Sequence, residues 1–225
     1  MTRDLLLFGA RTGTGLELAR LARAAGWRVT AMIRPGSASP ELTALGCTVV
    51  EGDALDRSQV SRAFAACALP PVVASTLGGG MPGRAVDYEG NVNVIDAAKA
   101  FGASRMILVT SLGCGDSRVH ASERLLAAIG DVLQAKTRAE DHLRAAAIPH
   151  VIIRPGGLVS DPPTGQGALY ADTCVHGRIT RPDLAGAVLP CLTDARVLGR
   201  TLSAIDRTRL AAPDGTVEFR LTAAA

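Results

Sequence analysis

Aromatic side chains are scarce in this sequence: Phe, Trp and Tyr together make up 3% of its 225 residues. The scarcity predicts a core built from Ala, Leu and Val, and it argues against the aromatic stacking surfaces that bind single-stranded nucleic acid. An excess of one charge is lacking as well, because 24 Lys and Arg stand against 21 Asp and Glu for a net charge of +3. We therefore expect neither nucleic acid nor an anionic membrane surface as a partner.

Paired cysteines and metal-binding spacings are also lacking. The five cysteines are odd in number, widely spaced and never arranged as C-x-x-C, and the four histidines show no H-x-x-x-H spacing. This pattern predicts reduced thiols in a cytoplasmic protein rather than disulfides, and it predicts no metal site. No apolar run reaches the length of about 18 residues that a membrane helix needs. We therefore expect a protein that is neither secreted nor membrane-spanning.

Short runs rich in Val, Ile and Leu alternate with longer segments of helical period along most of the chain. The runs that predict strands are 4–9, 28–34, 47–52, 71–76, 105–111, 150–156 and 199–206. The segments that predict helices are 14–25, 40–45, 58–68, 84–101, 122–147 and 181–194, the last disturbed at Pro190. The strand residues are apolar consecutively, as in a parallel sheet covered on both faces. The alternation therefore predicts an α/β fold, a Rossmann-type doubly wound parallel sheet with helices on both faces.

One segment, 157–180, interrupts this alternation with Pro, Gly and polar residues. Long irregular segments in compact domains are commonly functional loops, so we expect a substrate-side loop or lid insertion here. The sequence contains no internal repeat and no clear interdomain linker. Residues 1–225 are therefore expected to form a single domain.

The first predicted strand runs directly into a glycine cluster, LLLFGARTGTG, with three glycines among seven residues. At the first strand-to-helix junction of a doubly wound sheet, a helix N-terminus and bare backbone amides bind the diphosphate of a dinucleotide. The predicted cofactor-binding residues of this loop are Gly9, Arg11, Thr12, Gly13, Thr14 and Gly15. The alternative is that the glycines serve only the turn and the packing of the helix.

The second predicted strand ends at Arg34, where an NAD site normally carries Asp or Glu for the ribose hydroxyls. A guanidinium at this place suits a 2′-phosphate through charge-assisted, bidentate hydrogen bonds. Arg11, in the glycine loop, could supply a second phosphate contact. We therefore predict NADPH, with its oxidised form NADP, as the cofactor. The alternative is that Arg34 is a solvated charge at the end of a strand.

After the third predicted strand, the stretch EGDALD places Asp53 and the Ala54 amide where they could bind the adenine amino group. The alternative is that Asp53 shapes the turn while Asp56 or Ser58 caps the next helix. Both readings use the same short loop.

The fourth predicted strand ends in the stretch ASTLGGG, in which Thr76, Leu77 and Gly78 would pass beneath the cofactor ribose. Glycine at such a place permits close approach of a ligand to the backbone. A plain flexible loop would have the same composition.

These segments together resemble the atypical branch of the short-chain dehydrogenase/reductase superfamily, and within it the NmrA-like and biliverdin-reductase-B-like NAD(P)-binding proteins. The resemblance extends from residue 4 to about 205. The segments that carry it are LLLFGARTGTGLEL, MIRPGS, VVEGDALD, DYEGNVNVIDAAKAFGASRMILVTSLG, AKTRAEDHLRAA and VIIRPGGL. It implies one NAD(P)-binding Rossmann domain over 1–225 but no particular substrate, because the group contains reductases, isomerases and silent redox sensors.

The resemblance also implies roles for individual residues. Thr110 and Ser111, in VTS, would lie beside the nicotinamide, and Lys136, in AKTRAED, would hold the hydroxyls of the nicotinamide ribose. The residues that would cup the carboxamide are Pro155, Gly156 and Leu158. The superfamily's tyrosine acid, four residues before the lysine, is replaced here by Val132, which argues against ordinary ketone reduction. The alternatives are a Ser111 hydroxyl bonded to backbone and a solvated Lys136.

Hydride transfer to an acceptor that takes its proton from solvent requires orientation and exclusion of water more than an acid. Flavins, quinones and extended tetrapyrroles are such acceptors, and Ser111 and Lys136 would assist catalysis by a hydrogen bond and a positive charge. We therefore predict an NADPH-dependent oxidoreductase acting on a small conjugated or aromatic substrate, as a monomer or homodimer. The alternatives are an NADP(H)-binding redox sensor or assembly factor without turnover, and an isomerase or cyclase that uses the cofactor as a scaffold.

Four further side chains have open roles. Asp116 and His120 could line the substrate side, with His120 as a proton donor if it faces the cleft, although a surface-loop histidine is the simpler interpretation. Cys114 has no adjacent base in the sequence and is not expected to be reactive. Tyr170 could act as an acid from the 157–180 segment.

Overall fold

A mostly parallel sheet forms the centre of the computed structural model, which describes residues 3–68, 70–78 and 85–221. The strands of the described chain are β1 (Asp4–Phe8), β2 (Arg28–Ile33), β3 (Thr48–Glu51), β4 (Val72–Ser75), β5 (Arg105–Val109), β6 (His150–Pro155), β7 (Gly157–Val159), β8 (Gly167–Tyr170), β9 (Arg178–Thr180) and β10 (Arg200–Asp206). Eight of them form one sheet in the order β3-β2-β1-β4-β5-β6-β10-β8, in which only the edge strand β8 is antiparallel to its neighbour. The remaining two, β7 and β9, pair in parallel as a separate small sheet.

Helices cover both faces of the large sheet. They are α1 (Gly13–Ala24), α2 (Pro40–Ala44), α3 (Arg57–Ala65), α4 (Asn91–Ala100), α5 (Glu123–Ala145) and α6 (Arg181–Val188). One buried cluster joins α1, α2 and α6 to one face, and a second joins α3, α4 and α5 to the other. The predicted Rossmann-type doubly wound α/β fold is confirmed.

Strand β1 shows why the predicted strands are apolar at every position. Its residues Leu5, Leu6, Leu7 and Phe8 are all 0% exposed, and alternate ones belong to the clusters on opposite faces. Each such side chain stabilises the fold by about 1.5–3 kcal/mol when it is fully buried. A polar residue at any of these positions would lie in one core or the other.

Strand order reverses on either side of β1, because β2 lies beyond it on one side and β4 on the other. Chains that leave neighbouring strands in opposite directions open a crevice at the carboxyl ends of those strands. The residues after β1, β4, β5 and β6 all lie at this edge of the sheet. The fold therefore places the predicted site loops along one crevice.

Three predicted segments differ in detail from the structure. The helix expected over 84–101 begins outside the described residues; within them, a π-helical turn at Val86–Gly90 leads into α4. The helix expected over 181–194 ends at Val188 and continues as a 3₁₀ turn that contains Pro190, since proline lacks the amide proton that an α-helix needs. The expected loop over 157–180 contains β7, β8 and β9.

Candidate functional site

The glycine loop connects the end of β1 to the start of α1. Gly9 has a φ angle of +80°, and a Cβ there would lie 2.7 Å from the Thr76 hydroxyl oxygen. A Cβ at Gly15 would lie 2.7 Å from the same oxygen and would also meet the Gly9 carbonyl oxygen. Thr76 in turn donates from its hydroxyl toward the carbonyls of Phe8 and Gly9, each at 3.2 Å. Gly9 and Gly15 are therefore required for close packing of α1 against the ends of β1 and β4.

The N-terminus of α1 has the features of an anion site. Its N-cap residue, Thr12, has an extended backbone and no side-chain capping bond, and the first turn contains no acidic residue. The Thr14 hydroxyl is buried, with the residue 7% exposed, and has no hydrogen-bond partner among the described residues. Free amides, the helix macrodipole and an unpaired hydroxyl together suit a phosphate group. The residues present thus fit the diphosphate of a nucleotide cofactor.

Two of the predicted phosphate ligands are exposed arginines. Arg11, in the glycine loop, and Arg34, directly after β2, form no side-chain hydrogen bond or ion pair with any other described residue. Ser39, five residues after Arg34, is 6% exposed, and its hydroxyl also has no partner in the described chain. Both guanidinium groups are free to bind an anion at the open end of the crevice.

Asp53 shapes the turn before α3, which was the alternative to a contact with adenine. Its carboxylate accepts a hydrogen bond from the Leu55 amide at 3.0 Å, which shapes the turn. Asp56 caps α3 by accepting from the Ser58 and Gln59 amides, and hydrogen bonds from Ser58 and Gln59 lower its pKa to about 2. Ala54 is buried, and its carbonyl accepts from the Asn93 side chain at 2.9 Å. The adenine contact of Asp53 and Ala54 stays a prediction.

Lys136 lies beside the loop after β4, and it is not a solvated lysine. Its side chain is 12% exposed, and its ammonium is 2.9 Å from Oδ1 of Asp87, whose side chain is 0% exposed. The ammonium also donates to the Leu77 carbonyl at 3.3 Å. A Cβ at Gly78 would lie 3.2 Å from the ammonium and 3.3 Å from the Asp87 carboxylate. The loop after β4 and the middle of α5 therefore meet at one buried ion pair.

Asp87 belongs to the π-helical turn that precedes α4. Such turns insert an extra residue into a helix and often occur at functional sites, because they redirect a side chain. Here the turn buries Asp87 beside the ammonium of Lys136. The sequence shows only an acid inside a helical segment, so this partner of Lys136 was not predicted.

Ser111 and Thr110 follow β5, and their hydroxyl groups differ in accessibility. The Thr110 hydroxyl is buried and donates to Oε1 of Glu140 at 2.7 Å. The Ser111 residue is half-buried, and its hydroxyl donates to the Leu112 carbonyl at 2.9 Å. Thr110 thus holds the end of β5 against α5. The Ser111 hydroxyl is bonded to backbone, which was the alternative to a contact with the substrate.

A buried charge network lies behind these residues and was also not predicted. Arg154, in β6, is 1% exposed, and Glu140, one turn after Lys136, is 0% exposed. Arg154 donates to Oε1 of Glu140 at 3.0 Å and to Oε2 at 2.6 Å, and it also binds Asp116. Burial alone would lower the pKa of Arg154, but the hydrogen bonds and charge of Glu140, followed by those of Asp116, raise it. The network joins β6, α5 and the loop after β5, which carry the predicted site residues Pro155, Lys136 and Ser111.

The loop after β6 is packed tightly against neighbouring backbone. The Pro155 carbonyl accepts from the Leu112 amide at 2.9 Å, and the Gly156 amide donates to the Ala204 carbonyl at 3.0 Å. A Cβ at Gly156 would lie 2.5 Å from the Gly177 carbonyl oxygen, so only glycine fits there. Leu158, in β7, is 40% exposed. The predicted carboxamide contacts of this loop stay a prediction.

The residues with open roles lie in different surroundings. Cys114 is buried, and burial raises the pKa of its thiol to about 12, which agrees with an unreactive cysteine. Asp116 binds Arg154, and His120 lies 3.0 Å from the Cys174 sulfur through Nε2. Tyr170, in the edge strand β8, is 3% exposed, and burial raises the pKa of its phenol. A buried position in an edge strand does not suit a tyrosine acid on a lid.

Arg181, which no sequence motif indicated, also lies against the glycine loop. A Cβ at Gly13, whose φ is +61°, would lie 3.0 Å from Cδ and 3.3 Å from Nε of Arg181. Its approach depends on the pairing of β7 with β9 and on the packing of α6 against α1, which no local pattern in the sequence reveals.

The described residues contain no cluster of three or more His, Cys, Asp or Glu side chains that could hold a metal ion. Among the helices of the same ranges, none combines the length and the hydropathy of a membrane-spanning helix.

Comparison with known proteins supports the nucleotide site. Residues 9–195 match the family model described as NAD(P)H-binding. The solved structure of ChuY, an anaerobilin reductase from Escherichia coli O157:H7, has a TM-score of 0.84 and 38% identity, covering 93% of this chain and 100% of that chain. YhfK of Bacillus subtilis, called an uncharacterized sugar epimerase, is 30% identical over 176 residues, 76% of this chain and 79% of YhfK.

Sanguinarine reductase from Eschscholzia californica is 34% identical over 112 residues, which are 48% of this chain. The match covers 40% of that enzyme, so the chain spans less than half the length of some curated relatives it matches. The family match nevertheless covers most of the chain, and it includes the glycine loop, Lys136 and Arg181. The chain therefore belongs to the NAD(P)H-binding family, in the atypical branch of the short-chain dehydrogenase/reductase superfamily, and its cofactor is a nicotinamide dinucleotide.

Proposed function

We propose that this protein is an NADPH-dependent oxidoreductase that reduces a small conjugated or aromatic acceptor, such as a flavin or quinone, without a tyrosine acid. The observation that carries the proposal is the position of Lys136. Its side chain is 12% exposed, and its ammonium is held 2.9 Å from the buried Asp87 carboxylate, beside the loop after β4. A protein that only senses the cofactor has no need of a cation held at the inner end of the crevice.

When bound, the cofactor supplies the hydride. Lys136 would hold the ribose hydroxyls and place a positive charge beside the reacting ring, where it favours developing negative charge on the acceptor. Ser111 would turn its hydroxyl from the Leu112 carbonyl toward the acceptor and donate a hydrogen bond. Val132, one turn before Lys136, is 8% exposed and has no proton to give, so the acceptor would take its proton from water.

The preference for NADPH rests on Arg34. Its exposed guanidinium follows β2, and it forms no ion pair within the described chain. Two charge-assisted hydrogen bonds to a 2′-phosphate, at about 1.5 kcal/mol each, correspond to an affinity difference of about 100-fold. The variant Arg34→Asp should therefore bind NADPH at least about 100-fold more weakly in a calorimetric titration. It should bind NADH as tightly as the wild type or more tightly, because a carboxylate at this place suits the ribose hydroxyls. Equal affinity of the wild type for NADPH and NADH would refute this specificity.

Turnover is tested by following the consumption of NADPH with flavin and quinone acceptors. Lys136→Met should lower kcat/KM by about 100-fold and Ser111→Ala by about 10-fold, because each removes a group that stabilises charge in the transition state. Lys99→Met, at an exposed position in the last turn of α4, is the matched control and should leave kcat/KM unchanged. Wild-type protein that binds NADPH tightly but consumes none with any acceptor would contradict the proposal.

The names of the relatives support a reductase and keep one alternative in view. ChuY and the sanguinarine reductase are both named as reductases. YhfK is named as a sugar epimerase, which is the observation that favours a cofactor-scaffolded isomerase as the second candidate. An isomerase would interconvert its substrate without net loss of NADPH, so the same assay distinguishes the two. A sensor or assembly factor would show neither reaction.

A further inference from the structure

Arg181, the first residue of α6, lies against the first residue of α1. The side chain crosses Gly13 so closely that a Cβ there would be 3.0 Å from its Cδ and 3.3 Å from its Nε. Any other residue at position 13 would displace this side chain, and it would also be strained by the φ angle of +61°. The glycine therefore provides the space in which Arg181 reaches the loop.

A strap of backbone brings Arg181 to this position. Strand β7 pairs with β9 in parallel, and β9 ends at Thr180, directly before α6. The guanidinium then donates from Nη1 to the Ser160 hydroxyl, just after β7, at 2.8 Å. Thr180 caps α6 by accepting from the Asp183 amide. Both ends of the 157–180 segment thus fix the Arg181 side chain over the glycine loop.

The charge of Arg181 is not neutralised within the described chain. Ser160 is the one hydrogen-bond partner that its side chain has there, and no carboxylate of those residues pairs with it. Asp161, the next acid along the segment, pairs with Arg209 instead. Asp183, in the same turn of α6, accepts from the Thr164 and Gly165 amides and from the Thr180 hydroxyl. A cation without a counter-ion beside a helix N-terminus favours an anion between them.

A second observation points to a ligand at the same place. The Thr14 hydroxyl, in the first turn of α1, is more than nine-tenths buried and has no hydrogen-bond partner among the described residues. A buried hydroxyl without a partner costs about 1–3 kcal/mol, which a phosphate oxygen would offset. The unpaired hydroxyl and the unneutralised guanidinium lie on neighbouring residues of the loop, at Thr14 and over Gly13.

We propose that Arg181 is a ligand of the cofactor diphosphate, held by Ser160 as a clamp over the glycine loop. The inference rests on the nicotinamide cofactor site described above, and it assigns to the 157–180 segment a role in cofactor retention. Because the diphosphate is common to NADP and NAD, Arg181 should contribute equally to both. Arg34, by contrast, should contribute only to NADP.

The test measures dissociation constants by calorimetry for NADP⁺, NAD⁺ and adenosine 2′-monophosphate, which lacks the diphosphate. Arg181→Met keeps much of the side-chain bulk and removes the charge. This variant should bind NADP⁺ and NAD⁺ more weakly by the same factor, about 10-fold or more for one charge-assisted contact, and its affinity for the 2′-monophosphate should be unchanged. Its NADP⁺ affinity should also depend less steeply on salt. Ser160→Ala removes the hydrogen bond that holds the Arg181 guanidinium, and it should weaken the binding of both dinucleotides by a smaller factor.

Arg20→Met is the control, because it removes the same charge from an exposed position on α1, where Arg20 pairs with Glu17. Affinities of Arg181→Met within about twofold of the wild type, or an equal loss for the 2′-monophosphate, would overturn the assignment. An unchanged urea midpoint for Arg181→Met excludes a loss of fold as the cause, and Arg181→Lys provides a second variant if Met disturbs α6. Wild-type protein that binds no dinucleotide would refute the cofactor site itself, which is a separate outcome.

Discussion

The buried carboxylate of Glu140 offers the sharpest test of how the site is held together. It accepts hydrogen bonds from Thr110 at 2.7 Å, from Arg154 at 3.0 and 2.6 Å, and from Arg144 at 3.2 Å. Glutamine has the same shape but one acceptor oxygen, so Glu140→Gln would set an amide N–H₂ against at least one donor. Loss of about two charged hydrogen bonds, at about 1.5–3 kcal/mol each, predicts a decrease of about 3–6 kcal/mol in unfolding free energy.

Urea unfolding followed by circular dichroism measures this loss as a lower midpoint with an unchanged m-value. Asp141→Asn is the matched control, because the Asp141 side chain is 66% exposed and pairs with Arg144 at 2.9 Å. The substitution should therefore cost less than about 1 kcal/mol of unfolding free energy. In a double-mutant cycle, Glu140→Gln and Arg154→Met should be strongly non-additive because they share partners. A loss below about 1 kcal/mol for Glu140→Gln would refute the network as a source of stability.

Three further predictions concern other parts of the fold. Gly15→Ala would place a Cβ against the backbone of the glycine loop and should lower the unfolding free energy by about 1–3 kcal/mol. A Cβ at Gly36 would have no atom within 4 Å, so Gly36→Ala should lower the unfolding free energy by about 1–2 kcal/mol through the φ angle of +71° alone. The midpoints of urea unfolding measure both losses. Burial raises the pKa of the Cys114 thiol to about 12, so Cys114 should resist iodoacetamide in the native protein and react after unfolding. Mass spectrometry measures the labelling, and rapid labelling of the native protein would contradict this prediction. Asp183 is a buried carboxylate, and burial by itself would raise its pKa. Hydrogen bonds from the Thr164 amide and the Thr180 and Thr164 hydroxyls outweigh burial and lower the pKa below the usual value of 3.8. The ionised carboxylate therefore stabilises the fold above pH 3.8, and this stabilisation is lost as the pH falls through the lower pKa of the folded state. The difference in stability between wild type and Asp183→Asn should therefore shrink on acidification, and a difference independent of pH would argue against this account.

Much of the fold follows from local patterns in the sequence. The consecutive apolar residues of LLLF predict a strand buried on both faces, and Leu5 to Phe8 are indeed fully buried. Pro190 predicts a disturbed helix, and α6 ends two residues before it. Such features depend on near neighbours in the chain, which a single sequence contains. The pairing of β7 with β9 joins residues about twenty positions apart and has no local signal.

The site residues also divide into those that local patterns in the sequence indicate and those that depend on contacts distant in the chain. The glycines and Arg34 follow the ends of predicted strands, where local motifs indicate them, whereas Lys136 lies in a helix and was indicated by the family resemblance. Asp87 and Arg181 could not be found, because their contacts depend on a π-helical turn and on the packing of α6 against α1. Both were visible only as charged residues in helical segments, and charge in a helix most often indicates a solvated face.

Calorimetric titration of the wild-type protein with NADPH is the decisive measurement, because one bound cofactor would explain the glycine loop, Arg34 and Lys136 together. We expect saturable binding at one site per chain, and tighter binding of NADPH than of NADH. Absence of heat with both coenzymes, reduced or oxidised, would refute the cofactor site.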